Sequence, residues 1–159
     1  MKKILTVVSF FAIAFVISLS LSSSVRAAIS DGSGPWADTV IPSGQGLQKN
    51  DQPVRASRSD TSAAVGVAEN DVTDSHFYSL GFGGSLVLGF DSAFSGSVSI
   101  TEATNSNYPD ETARVDFSAD GTNWFFAGNV SADGSVDLPA TLSCAQFVRI
   151  TDTSNKAFF

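Results

Sequence analysis

Residues 79–90 read Ser-Leu-Gly-Phe-Gly-Gly-Ser-Leu-Val-Leu-Gly-Phe, a glycine-rich run of the kind that can cradle a phosphate with backbone amides. Each phosphate or nucleophile signature fails on a specific residue. A dinucleotide fingerprint needs a third glycine where Leu86 stands, and it should follow a strand rather than precede one. A P-loop counted from Gly84 to Gly89 meets Phe90 and Asp91 in place of the lysine and the hydroxyl residue. A nucleophile elbow centred on Ser85 is blocked by Val87. Gly81, Gly83 and Gly84 are therefore expected to be backbone devices that let the chain turn sharply and pack closely before a strand.

Carboxylates are the more plausible chemistry. Asp60, Asp71, Asp91, Glu102, Asp110 and Asp152 fall in predicted loops or at strand ends, where oxygen ligands can converge on a hard cation. Calcium is the ion such a set would hold, although no EF-hand or nonapeptide repeat is present and a solvated acidic surface is the plainer reading. The same inventory could supply a glycosidase pair, but no spacing picks out an acid and a nucleophile. His76 is the only histidine and Cys144 the only cysteine, too few for a typical zinc site built on nitrogen and sulfur. With one cysteine there is no intrachain disulfide, and Cys144 reads as a small buried apolar residue. Two aromatic residues are candidates for ligand binding: Tyr108 in the polar segment Asn-Ser-Asn-Tyr-Pro-Asp-Glu, and Trp124 after Asp-Gly-Thr-Asn. A large ring in such surroundings either packs inward or stacks on a ligand such as a sugar.

These residues need a scaffold, and the composition describes one. Ser, Thr, Gly, Asp, Val and Phe are frequent and helix formers scarce, which favours strands and turns. Residues 28–76 are polar and broken by Gly and Pro, with brief apolar stretches at 37–41 and 63–68 that suit short edge strands and a turn that buries Trp36. Regular strands are expected from Phe77 onward. Residues 85–90 form a continuous apolar run, as in a strand covered on both faces. Residues 97–101 and 113–118 alternate, with Ala113, Val115 and Phe117 set against Arg114, Asp116 and Ser118. Further strands are predicted over 123–130, 135–138 and 146–151. The tetrapeptide Ser-Ala-Asp-Gly occurs at 118–121 and again at 131–134, and both copies read as hairpin turns. About seven short strands with regular turn signals predict an all-β fold, an antiparallel β-sandwich or jelly roll.

At the N-terminus, Lys2 and Lys3 precede an apolar run over 4–21 and the small residues around Val25-Arg26-Ala27, the order of an export signal helix cut after Ala27. An uncut membrane anchor is the alternative, because 18 apolar residues lie near the lower limit for a span. Cleavage leaves residues 28–159 as a single domain. All 16 acidic residues follow the cut and only six of the nine basic ones do, so the exported part carries a net charge of −10. Such a surface repels nucleic acid and anionic lipid headgroups.

The succession 58–60, 64–70, 77–90, 108–124 (Tyr-Pro-Asp-Glu-Thr-Ala-Arg-Val-Asp-Phe-Ser-Ala-Asp-Gly-Thr-Asn-Trp) and 147–155 resembles the galactose-binding-like β-sandwich of exported bacterial surface proteins, akin to discoidin and carbohydrate-binding modules. The resemblance spans Trp36 to Asn155. It implies a non-catalytic secreted or periplasmic module that recognises a glycan or another surface molecule. A structural spacer without a small ligand is the alternative reading, and a fragment of a secreted hydrolase the remote one. It also implies a closing acidic strand beyond Asn155, so a chain ending at Phe159 is expected to be truncated.

Overall fold

The computed structural model describes residues 2–3, 6–8, 14–16, 18–20, 36–66, 77–100, 111–131 and 133–158. The protein is all-β and its sheets are antiparallel. Four short strands stand near the N-terminus: β1 (Lys2–Lys3), β2 (Thr6–Val8), β3 (Ala14–Val16) and β4 (Ser18–Ser20). Seven follow: β5 (Thr39–Pro42), β6 (Ser85–Phe94), β7 (Ser97–Ile100), β8 (Ala113–Ser118), β9 (Phe125–Val130), β10 (Gly134–Asp137) and β11 (Ala145–Asp152). The largest sheet has the order β5-β6-β11-β8-β9, a second has β1-β4-β7-β10, and β2 pairs with β3 alone.

The helix expected over 4–21 is not seen where that segment is described; its described residues are extended, and Ser18, Leu19 and Ser20 pair with Ser99, Val98 and Ser97. Stretches such as Thr-Val-Val and Ala-Phe-Val carry the branched and aromatic side chains that favour strands. No helix among the described residues is long and apolar enough to cross a membrane.

One hydrophobic cluster unites the two larger sheets. Leu86, Leu88, Val115, Phe117, Val148 and Ile150 come from the inner face of the five-stranded sheet, and Val98, Ile100 and Val136 from β7 and β10. Phe94 anchors it, meeting Phe90 edge-on at 5.0 Å and Phe117 at 5.8 Å between ring centroids. Each such fully buried side chain stabilises the fold by about 1.5–3 kcal/mol relative to exposure. The buried run in β6 extends over Leu86–Phe90, as the continuous apolar pattern requires, with Gly89 lying beneath the Phe147 ring.

Three local expectations are corrected. Residues 61–64 form a 3-10 turn rather than part of an edge strand, because Asp60 accepts hydrogen bonds from the Ser62 amide and hydroxyl and so caps it. The first Ser-Ala-Asp-Gly copy does join the antiparallel pair β8 and β9, with Gly121 at φ +74°. The second links β9 to β10, which pairs with β7 in the other sheet, so it is a crossing and not a hairpin. Cys144 is exposed, since it precedes β11 and the inward position falls to Ala145. Trp36 is half-buried beside the buried Ala37.

Candidate functional site

The glycine-rich loop does hold an anion, and the anion is its own chain's Asp152. Gly81 and Gly83 have φ +70° and +71°, the left-handed region that glycine enters without strain. The turn they make directs the Gly83 amide onto Asp152 Oδ2 at 2.8 Å, while the Asp152 amide donates to the Gly84 carbonyl at 2.8 Å. Asp152 Oδ1 accepts the Ser154 hydroxyl at 2.6 Å and the Ser154 amide at 3.3 Å. A Cβ on Gly84 would overlap the Leu80 carbonyl and the Gly46 amide, so this loop packs backbone on backbone. Burial pushes the Asp152 carboxyl above its ordinary range, against the pull of these donors.

A different constellation lies on the outward face of the five-stranded sheet. Register places Ile41, Val87, Arg149, Asp116 and Phe126 in one row across all five strands. Asp116 points away from the core yet is only 1% exposed, because two guanidiniums close over it. Arg114 donates through Nε (2.9 Å) and Nη2 (2.7 Å) to Oδ1, and Arg149 through Nη2 (3.0 Å) to Oδ2. Burial alone would raise the Asp116 carboxyl, but the two arginines outweigh it and hold the group below its ordinary range.

Each guanidinium in turn lies over an aromatic ring. Arg149 sits 4.6 Å from the centre of Trp124, and Arg114 4.6 Å from the centre of Phe126. Trp124 directly precedes β9 and Phe126 stands two places on, which puts both rings on one side, about 7 Å apart along the strand. Phe126 is 50% exposed and Trp124 is half-buried. Phe147 joins this face, its ring resting near Gly89 and Gly121 where neither offers a side chain. The turn that delivers Trp124 is rigid: Asp120 Oδ1 accepts the amides of Thr122 and Asn123 at 2.8 Å, and these bonds hold its carboxyl far below the usual range.

No family model, curated protein or solved structure matches this chain.

The structure therefore distributes the sequence-derived candidates as follows. Trp124 belongs to the arginine-aromatic face. Tyr108, Asp71, Glu102, Asp110 and His76 lie outside the described residues. Asp60 caps its 3-10 turn, Asp152 closes the glycine loop, and the amide of the exposed Asp91 in β6 donates to Asp38. Among the described residues no three His, Cys, Asp or Glu side chains gather as a metal site would require. Sequence reasoning missed Arg114, Asp116, Arg149 and Phe126. The available signal was a charged residue at the outward position of two separate alternating strands, Arg114 and Asp116 in one and Arg149 in the other.

A carboxylate whose two oxygens are both engaged by guanidiniums, and which stays ionised into acid, is a poor general acid or base. Flat rings beside pinned hydrogen-bond donors suit a ligand with one apolar face and a polar edge.

Proposed function

We propose that the chain is an exported, non-catalytic binding module, a β-sandwich of the galactose-binding-like kind, that recognises a glycan or another surface molecule. The observation that carries this reading is the outward row in which Trp124 and Phe126 stand on one face beside guanidiniums fixed by the buried Asp116. Sugar rings present C–H faces that stack on aromatics and hydroxyls that accept from arginine, so both halves of the row have a use. The N-terminal segment and the acidic exported part fit a module that works outside the membrane. Two sheets sharing one hydrophobic cluster support the sandwich. The site lies on a sheet face rather than at the loop tips alone, with Trp124 at its loop end.

A spacer without a ligand is the second reading, and one observation favours it: each ring already has a guanidinium over it. Retention of the protein on an immobilised panel of neutral and acidic glycans separates the two. The binding reading expects at least one glycan class to retain the protein and Trp124→Ala to weaken it about tenfold. Retention of nothing across the panel, by a protein that unfolds cooperatively, leaves the spacer.

A further inference from the structure

We infer that the ligand of the arginine-aromatic face is an acidic glycan, recognised through a single sugar carboxylate by the guanidiniums of Arg114 and Arg149. This inference rests on the glycan-binding reading and narrows it to a chemical class.

The argument begins with charge. Asp116 supplies one negative charge against two positive ones, so the row keeps a positive excess although the exported part as a whole carries −10. Two of the six basic residues after the predicted cut have thus been placed side by side on one sheet face. Arg114 and Arg149 both use Nε and Nη2 on Asp116, and the Nη1 side of each fork takes no part in those bonds. The side chains remain 46% and 32% exposed, so these forks can be reached from solvent. A planar guanidinium already clamped by a carboxylate on one edge and a ring on its face loses little further freedom on binding an anion. A sugar carboxylate matches the fork, and the pyranose that bears it can lie against the exposed Phe126 or Trp124.

The same charges limit the size of the ligand. The screening length at physiological salt is about 8 Å, so a carboxylate in contact feels the two arginines above all. A long polyanion would also meet the acidic remainder of the molecule and be repelled. Short glycans with an isolated acidic residue are therefore preferred over polyuronates, nucleic acid and anionic membranes.

Paired probes that differ only in the charge of one carboxylate test the inference: sialyllactose against its methyl ester, and galacturonic acid against its methyl ester, titrated into the protein alongside the immobilised panel. The expected result is binding of an acidic member at least tenfold tighter than its neutral partner, weakened further by added salt. Arg149→Lys, which keeps the charge but loses the fork, should reduce that binding about tenfold. Arg114→Gln, altered at the more exposed arginine, should do the same with a cooperative unfolding transition intact. Equal binding of acidic and neutral members, lost in Trp124→Ala, would overturn the acidic preference and leave the glycan reading standing. Retention of neutral panel glycans alone has the same meaning. If neither the pairs nor the panel bind, both the inference and the reading beneath it fall.

Discussion

Two carboxylates on the five-stranded sheet are almost equally buried, Asp116 at 1% exposure and Asp152 at 5%, and their surroundings drive them in opposite directions. Asp116 is met by two full positive charges, which hold it ionised. Asp152 is met by amides and a hydroxyl, and desolvation wins. The contrast separates two kinds of work. Around Asp152 the polar contacts close a glycine loop whose own backbone fills the space, and no side chain is presented outward by the carboxylate itself. Around Asp116 they hold two partly exposed guanidiniums and two rings in fixed positions on an open face. Buried ion pairs are seldom the cheapest way to stabilise a sheet, and an apolar residue in the row at Asp116 would pack as well. Its use is best understood as positioning.

The largest expected effect breaks the Asp152 side. Gly84→Ala drives a methyl group into the Leu80 carbonyl and Gly46 amide, and should cost about 3 kcal/mol, lowering the melting temperature by roughly 10 °C. Asp116→Ala comes next. It leaves two guanidiniums facing a void, but both can turn to water, so about 2 kcal/mol is expected from urea unfolding. Binding should suffer more than stability.

The pH dependence sharpens the comparison because the signs differ. A depressed folded pKa makes Asp116 contribute stability above its ordinary pKa of about 4, and that contribution disappears as pH falls through the depressed value. A raised folded pKa gives Asp152 the reverse: its contribution is full below about pH 4 and is lost as pH rises through the raised value. Unfolding free energies from pH 2 to 8 should show Asp116→Asn with a shallower acid limb than the wild type. Asp152→Asn should lose less stability than the wild type between pH 4 and 7. Parallel profiles for the two variants would mean that the two environments do not differ as described. The smallest stability effect belongs to Phe126→Ala, about 1 kcal/mol or less, since the ring is half exposed and its arginine keeps Asp116.

Strand positions were readable because period-two alternation and Asp-Gly turns are local signals. The predicted run 146–151 became Ala145–Asp152, and 113–118 matched as drawn. The glycines at 81, 83 and 84 were legible as turn devices for the same reason. Long-range relations were not readable. Nothing local sets Asp116 opposite Arg149, 33 residues away, so Asp116 looked like an ordinary outward carboxylate in a half-buried strand. Nothing local says that the second Ser-Ala-Asp-Gly crosses between sheets, since the partner of β10 is β7. Trp124 was singled out by its place after a polar turn, but its partner Phe126 hid inside an apolar run, where an outward ring is indistinguishable from a core one.

The most direct test of the central claim, that the outward face of β8, β9 and β11 is the binding surface, is nuclear magnetic resonance of labelled protein titrated with the best glycan from the panel. The account predicts that the largest shifts fall on the Trp124 indole N–H and the Nε–H groups of Arg114 and Arg149, with the Gly83 amide unmoved. Shifts centred on the glycine loop, or on residues remote from this row, would contradict it.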